Sequence, residues 1–179
     1  MCRQKSPRSA LAFSLVLCTV ATLFAVAEQK LLGQGRHTTF ALDAGITPRL
    51  RRNSGTTQYF IDQFGPSVQP FGKTVEVVSG ENVLVRGWAV DTSASNLAGG
   101  VEIVIDDSAY SLPYFLTRTD VATALGKEAF TDCGFLGIVS PQLLLNGVHT
   151  VSLRIVSANH DSYYQSPTFR LVVRPDGVS

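Results

Sequence analysis

The sequence has few charged residues for its length. Only 16% of its 179 residues are charged, and the formal net charge is +1, whereas soluble domains average about 25% charged residues. This composition argues against a wholly disordered chain and against a strongly basic nucleic-acid-binding protein. Because a domain typically takes about 150 residues, the length predicts one domain and an appendage.

Sequence motifs of common catalytic and metal sites are also missing. The chain has no Gly-x-Ser-x-Gly elbow, no Gly-x-Gly-x-x-Gly or Walker-type loop, and no His-x-x-x-His, Cys-x-x-Cys or Glu-x-x-His spacing. The usual signals for a serine hydrolase, a nucleotide-dependent enzyme and a zinc site are therefore absent. We predict a protein that is not an enzyme, with no cofactor and no metal. Asp91, Asp106 and Asp107 lack the alternating ligands of a calcium loop.

The amino terminus predicts a signal peptide over residues 1–27. Its first ten residues hold three basic side chains and no acid, and residues 11–27 are uncharged. The sequence Ala25-Val26-Ala27 has the small-x-small pattern of a cleavage site. We expect an extracytoplasmic protein, either secreted or periplasmic. The alternative is an uncleaved leader that anchors the chain to the membrane.

Cys133 is the one cysteine beyond that leader, since Cys2 and Cys18 lie within it. Cleavage would leave no partner for an intrachain disulfide. We expect Cys133 to be buried, as free cysteines commonly are. The alternatives are an intermolecular bridge or a reactive thiol, and a thiolate pair with His149 or His160 has no local support.

Charge divides the remaining chain into two parts. Residues 28–57 hold five basic and two acidic residues without sustained alternation, which predicts a basic linker. Residues 58–179 hold 7 basic and 12 acidic residues, a net charge of −5, opposite in sign to a nucleic-acid-binding domain. We predict a folded domain over residues 58–175 and a tail over residues 176–179.

The folded part has the alternation typical of β-strands. Short apolar runs are bounded by Gly, Asn, Asp and Pro. One short helical turn is expected over residues 121–125, capped by Thr119 or Asp120 and ended by Gly126. Two antiparallel sheets packed face to face are predicted, with a barrel as the alternative. The predicted strands span residues 59–61, 74–78, 83–90, 101–105, 109–115, 134–139, 149–156 and 169–173.

A series of short motifs occurs in order along this part. They are VRGWAVD at Val85–Asp91, GVEIVID at Gly100–Asp106, RTDV at Arg118–Val121, GF at Gly134-Phe135 and LNGVH at Leu145–His149. Over residues 59–173 the series resembles bacterial extracytoplasmic immunoglobulin-like β-sandwich modules of the GWAVD type. Such modules occur alone or appended to membrane glycosyltransferases and surface enzymes. The resemblance implies an immunoglobulin-like sandwich with a noncatalytic accessory or binding role, and it assigns no catalytic residue.

Tyrosines supply the candidate binding surface. Tyr110 and Tyr114 lie in one connection, and Tyr163 and Tyr164 lie in the loop over residues 157–166. Their rings could stack on sugars or insert into a protein partner. The alternative is that they cover the ends of the sandwich.

Four further residues are predicted to be structural. Trp88 would supply a large core side chain, and Asp91 would begin a polar loop. Arg118 would anchor the next connection through an ion pair, and Asp120 would cap the helical turn.

The sequence thus predicts a noncatalytic exported module that binds an envelope glycan or polymer. The alternative is a protein-interaction or structural accessory of a membrane or surface enzyme. The expected partners are a glycan or an envelope protein and no nucleic acid, with membrane contact only through a retained leader.

Overall fold

The computed structural model describes residues 42–45 and 47–177. The predicted signal peptide and the predicted linker up to residue 41 lie outside this part of the chain. One helix is described, α1 (Thr119–Leu125), with 3₁₀ turns at Thr47–Arg49, Glu128–Phe130 and Pro141–Leu143. The described strands are β1 (Asp43–Ala44), β2 (Arg51–Arg52), β3 (Gln58–Phe64), β4 (Ser67–Val68), β5 (Thr74–Val78), β6 (Val83–Asp91), β7 (Asn96–Leu97), β8 (Gly100–Ile105), β9 (Ser108–Leu112), β10 (Tyr114–Leu116), β11 (Gly134–Val139), β12 (Gly147–Val156), β13 (Ser162–Gln165) and β14 (Phe169–Arg174).

The strands form two sheets. The six-stranded sheet has the order β10-β11-β6-β3-β4, with β7 paired to the end of β6. The eight-stranded sheet has the order β1-β9-β8-β12. Beyond β12 it continues through β13 to β2 along one half of that strand, and through β14 to β5 along the other. Among the described strands, only the β2–β13 and β5–β14 pairs are parallel. The structure confirms an all-β sandwich of two mostly antiparallel sheets rather than the alternative, a single closed barrel.

The core between the sheets follows from the alternation in the sequence. In β14, Phe169, Leu171 and Val173 are buried while the residues between them are exposed or half-buried. Successive side chains of a strand point to opposite faces, so one apolar set meets the facing sheet. On the six-stranded sheet the same cluster includes Phe64 and Phe135.

Gly87 allows a close approach inside this core. A Cβ atom at this position would overlap the carbonyl oxygen of Phe60 and lie 2.5 Å from Cζ of Phe135. Both separations are too short for a side chain, so the ring of Phe135 occupies the space beside β6 that a larger residue would fill. The glycine before Trp88 is therefore a packing requirement of the core.

The predicted strand over residues 109–115 is in fact two strands in different sheets. β9 pairs with β8 in the eight-stranded sheet, whereas β10 pairs with β11 in the six-stranded sheet. The break falls at Pro113, which has no N–H group to donate to a ladder. The carbonyl oxygen of Pro113 still accepts a 3.1 Å hydrogen bond from the backbone N–H of Leu136. The chain therefore crosses between the sheets at this proline.

Part of the predicted linker belongs to the sandwich, which corrects the boundary at residue 58. β1 pairs with β9, and β2 pairs with β13. Between them, the backbone N–H of Thr47 donates to the carboxylate of the buried Glu102 at 3.1 Å. A strand of two residues is too short to show periodicity, so the sequence pattern could not reveal these pairings.

The structure also places a strand inside the predicted loop over residues 157–166. β13 pairs with the end of β12 through Arg154, Ile155 and Val156. Its sequence, Ser-Tyr-Tyr-Gln, lacks apolar alternation, although Ser162 and Tyr164 are buried. Because its inward positions hold polar residues, this strand lacks the alternation from which strands were predicted.

Trp88 is not in the core between the sheets, which corrects its predicted place. Its two chain neighbours face that core, so Trp88 points outward from the six-stranded sheet. There it is half-buried and packs against a second, smaller cluster of Val90, Val121, Phe130 and Cys133. Its structural role is to seat α1 and the following 3₁₀ turn on the sheet.

Helix α1 ends as predicted and begins differently. Gly126 follows it with φ 65°, the left-handed conformation that terminates helices. No side chain caps its first turn, so the predicted cap by Thr119 or Asp120 is wrong. The carboxylate of Asp120 instead accepts hydrogen bonds from the side chain of Arg118. No helix among the described residues has the length and apolar character needed to span a membrane.

Asp91 joins the two sheets at one end of the sandwich. It ends β6 and is only 2% exposed. Its Oδ1 accepts hydrogen bonds from the Ser93 and Ala94 backbone N–H groups, from the Ser93 hydroxyl and from the Tyr164 hydroxyl, the last at 3.1 Å. Its Oδ2 accepts a 2.9 Å bond from the backbone N–H of Ala158. Burial raises the pKa of Asp91, but these donors outweigh burial and hold the pKa below its ordinary value.

We expect Asp91→Asn to lower the free energy of unfolding by about 2 kcal/mol, because the new amide would face the Ala158 N–H, another donor. Asp107→Asn is the matched control. Asp107 lies exposed in the two-residue turn between β8 and β9, so its substitution should change stability by less than about 0.5 kcal/mol. Urea unfolding of both variants measures this, and equal effects would contradict the role assigned to Asp91.

The stability difference between the wild type and Asp91→Asn should depend on pH. A lowered folded-state pKa contributes stability above the unfolded pKa of an aspartate, and this contribution is lost as pH falls through the folded value. The stability difference between the wild type and Asp91→Asn should therefore be largest near neutral pH and narrow in acid.

Candidate functional site

A cleft of about 610 Å³ lies on the outer face of the six-stranded sheet. Phe60 of β3, Arg86 of β6 and Leu136 of β11 line it from the sheet, because their chain neighbours face the core. Val68 of β4 and the segment 116–118 at the end of β10 form its sides. The volume lies within the range of about 300–1,000 Å³ found for small-ligand sites.

Part of the rim of the cleft is apolar. Val68 is 61% exposed and Leu116 is 39% exposed, and both line the cleft. Next to Leu116, the exposed Phe115 has φ 70°, which is uncommon for a bulky residue. Its ring centroid lies 4.5 Å from that of Tyr114. Exposed apolar side chains thus border the cleft at both edges of the sheet, Val68 on β4 and Leu116 on β10.

Arg118 fixes the polar side of the cleft. Its Nη1 donates to Asp62 Oδ2 at 2.6 Å, and its Nε and Nη2 donate to the two carboxylate oxygens of Asp120 at 2.9 and 2.7 Å. These hydrogen bonds lower the pKa of Asp120 to about 2 and raise the pKa of Arg118. The predicted ion pair of Arg118 is therefore present. It joins the start of α1 to β3.

A glycine makes room for that arginine. A Cβ atom on Gly134 would lie 2.7 Å from the carbonyl oxygen of Leu116 and 2.9 Å from Cγ of Arg118. The stem of Arg118 thus lies directly against β11, which holds its guanidinium beside the cleft. The Gly134-Phe135 pair seen in the sequence combines this contact with a core phenylalanine.

Arg86 is the other cation of the cleft. It is exposed on β6, opposite Leu136 of β11 in the sheet register. Among the described residues, no hydrogen bond or ion pair engages its guanidinium. A planar guanidinium with free donors can bind a carboxylate or a pair of hydroxyl groups through two parallel hydrogen bonds.

Two predicted binding tyrosines are structural instead. Tyr164 is 3% exposed, and its hydroxyl contacts Asp91 and Ser93, so its ring is part of the core and cannot form a surface platform. The hydroxyl of Tyr114 donates to the carbonyl oxygen of Ala89 at 2.6 Å, and burial raises the pKa of this tyrosine. Buried tyrosines usually engage their hydroxyl groups in this way.

Tyr110 and Tyr163 are half-buried and also lie away from the cleft. Tyr110 packs against the core between the sheets. The guanidinium carbon of Arg154 lies 5.0 Å from the ring centroid of Tyr163, in cation–π geometry. The structure therefore does not bring the four predicted tyrosines together, and none of them lines the cleft.

The sequence analysis predicted none of the cleft lining as a binding surface, although it assigned Arg118 to an ion pair. Phe60 and Arg86 lie on strands that pair only in the folded chain, and Leu136 comes from a third strand. Alternation could have identified each as an outward position. Their proximity depends on strand order, which alternation does not supply.

A second, polar pocket of about 450 Å³ lies beside Asp91. Its side chains include Asp161, Ser157 and Ser162, and these hydroxyl groups both donate to Asp161 Oδ1. The polar groups therefore bind one another and hold the loop between β12 and β13. Among the described residues, no three His, Cys, Asp or Glu side chains converge as metal ligands.

Cys133 and His149 do not form a catalytic pair. Cys133 is fully buried in the second cluster, and burial raises the pKa of its thiol to about 11. Both ring nitrogens of His149 have other partners, since Nδ1 lies 2.8 Å from Asp106 Oδ2 and Nε2 lies 2.7 Å from the carbonyl oxygen of Leu145. A thiolate nucleophile needs a lowered pKa and an adjacent base, and this cysteine has neither.

No family model and no curated protein matches the chain. Solved structures show weak likeness. An endo-β-1,4-mannanase from Thermotoga petrophila aligns with 69% of this chain and 21% of its own at 10% identity and a TM-score of 0.42. A point mutant of the protein Kfla1895 aligns with 52% of this chain and 11% of its own at 15% identity and a TM-score of 0.35. The chain thus spans about a fifth or less of either protein, and at these TM-scores neither likeness bears on its function.

We expect Arg118→Gln to raise the pKa of Asp120 from about 2 toward its ordinary 3.8, because the charged hydrogen bonds that stabilise the carboxylate are lost. A pH titration followed by carboxyl-carbon NMR measures this value. Arg174→Gln is the control, since Arg174 pairs with Glu76 at 2.7 Å and should leave Asp120 unchanged. An unaltered Asp120 titration in Arg118→Gln would contradict the assigned pairing.

Proposed function

We propose that the protein is a noncatalytic β-sandwich module that binds a glycan in the cleft on the outer face of its six-stranded sheet. The observation that carries the proposal is the cleft itself, where apolar side chains lie together with two guanidinium groups. The guanidinium of Arg118 is paired with carboxylates and, among the described residues, that of Arg86 is not. Ligand sites combine a mostly apolar lining with a few placed polar groups in this way.

The composition of the cleft suits a sugar ring. A pyranose has apolar C–H faces and a rim of hydroxyl groups. Phe60, Leu116 and Leu136 offer apolar contact, while Arg86, Asp62 and Arg118 offer donors and acceptors at its sides. Because Arg118 already holds Asp62 in place, that part of the site is ordered before any ligand arrives, which lowers the entropic cost of binding.

The electrostatics of the cleft support binding rather than glycoside hydrolysis. Hydrolysis by paired carboxyl groups requires one with a raised pKa that can act as a general acid. Asp62 and Asp120 both bind Arg118, and the pKa of Asp120 is lowered to about 2. The Asp120 carboxylate can therefore accept hydrogen bonds but cannot supply the proton, and Asp62 is the one carboxylate among the described residues that line the cleft.

The proposed location is outside the cytoplasm. The basic, apolar and small-residue segments of residues 1–27 support an exported chain. The motif series over residues 59–173, which resembles extracytoplasmic bacterial modules, supports the same location. An envelope glycan or polymer is then the ligand that the module would meet.

The test is affinity gel electrophoresis of the protein in soluble mannan, xylan, β-glucan and polygalacturonate. We expect retardation by at least one polymer, and a loss of affinity of about tenfold or more in Val68→Ser/Leu116→Ser, because these exposed side chains border the cleft. Val148→Ser is the matched control. Val148 is also exposed but lies on β12 of the other sheet.

Two results would overturn the proposal. One is the absence of retardation by every polymer, and the other is unchanged retardation of the double variant. Either result would favour the alternative, an accessory that binds a protein through its exposed apolar side chains.

A further inference from the structure

We infer that the glycan is acidic and that Arg86 binds a uronate carboxylate of it in the cleft. This inference rests on the proposed function and names the ligand class for the same site. The observation behind it is the unequal pairing of the charged groups that line the cleft.

Three side chains with an acidic or basic group line the cleft, which are Asp62, Arg86 and Arg118. Arg118 lies within 2.6 Å of Asp62 and within 2.7 Å of Asp120. Its charge is therefore offset by two carboxylates of the protein. Arg86 has no such partner among the described residues, so the cleft presents one guanidinium whose charge is not offset locally.

The other described arginines of the sandwich are paired or lie outside the cleft. Arg174 binds Glu76 through two hydrogen bonds of 2.9 and 2.7 Å. Arg154 donates to Gln165 and to Thr47. Arg170 is exposed on β14 of the eight-stranded sheet and lies outside the cleft. Arg86 alone in the described chain combines an unengaged guanidinium with the cleft lining.

A carboxylate matches this group in shape and charge. The planar fork of a guanidinium forms two parallel hydrogen bonds with a carboxylate. The single unpaired cation balances one negative charge, whereas a phosphate monoester carries nearly two. A hexuronate would therefore place its carboxylate on Arg86 and its ring against the apolar lining.

The negative charge of the body does not prevent this pairing. Residues 58–179 carry a net charge of −5, but exposed charges are largely screened beyond about 8 Å at physiological ionic strength. The contact with Arg86 is local and dominates within that distance. Binding of the acidic sugar should nevertheless weaken as salt increases.

The experiment is isothermal titration calorimetry of the protein with trigalacturonate and with the neutral galactotriose of the same linkage. We expect the wild type to bind trigalacturonate about tenfold more tightly, the effect of one charge-assisted hydrogen-bond pair. In Arg86→Gln that preference should disappear, because affinity for trigalacturonate should fall about tenfold further than affinity for galactotriose. Arg170→Gln, the control for loss of an exposed arginine, should keep the preference.

Arg86→Lys and a salt titration of the wild type test the inference without the glutamine variant, if that variant fails to fold by circular dichroism. Lysine keeps the charge but loses the planar fork, so part of the preference should remain. Equal binding of both sugars by the wild type, or a preference that survives Arg86→Gln, would overturn the inference. Retardation by mannan or β-glucan would in that case still support the proposed function. Binding of no sugar and no polymer would overturn both.

Discussion

At one end of the sandwich, the arrangement of the two sheets depends on the hydrogen bonds that the Asp91 carboxylate accepts. It lies at the end of β6 in one sheet and accepts hydrogen bonds from Tyr164 and from Ala158, both beyond β12 in the other. A buried carboxylate is stable only when hydrogen bonds replace its hydration, and the donors here come from both sheets. The sandwich and the ionised state of Asp91 therefore support each other.

This end of the molecule uses its polar groups for folding, whereas the outer face of the six-stranded sheet carries the proposed binding cleft. That face is divided into two parts. Helix α1 and the following 3₁₀ turn cover Trp88 and Val90, whereas the part around Phe60 and Arg86 remains open as the cleft. Arg118 lies at the boundary, because it precedes α1 in the chain and holds Asp62 of β3. The same residue thus anchors the covered part and lines the open part.

The alternation of apolar residues was sufficient to predict the long strands, because it reports which side chains face the other sheet. The terminator Gly126 was also predicted, since local backbone conformation decides it. Strands of two residues, such as Asp43–Ala44, carry no period and were predicted as linker. Asp120 was expected to cap a helix, but its stronger partner is the neighbouring arginine.

The candidate site was not predictable in the same way. Tyr164 lies in a polar segment and was expected at the surface, and only the pairing of β13 with β12 shows that it is buried. Conversely, Phe60, Arg86 and Leu136 are unremarkable in the sequence and meet because β3, β6 and β11 are neighbours in one sheet. A site assembled across strands depends on strand order, and strand order is set by long-range packing rather than by local pattern.

A crystal structure of the protein soaked with a uronate trisaccharide tests the central claim most directly. The account predicts sugar density in the cleft, with a carboxylate within hydrogen-bond distance of Arg86, whereas density confined to the polar pocket beside Asp91 or to the eight-stranded sheet would contradict it.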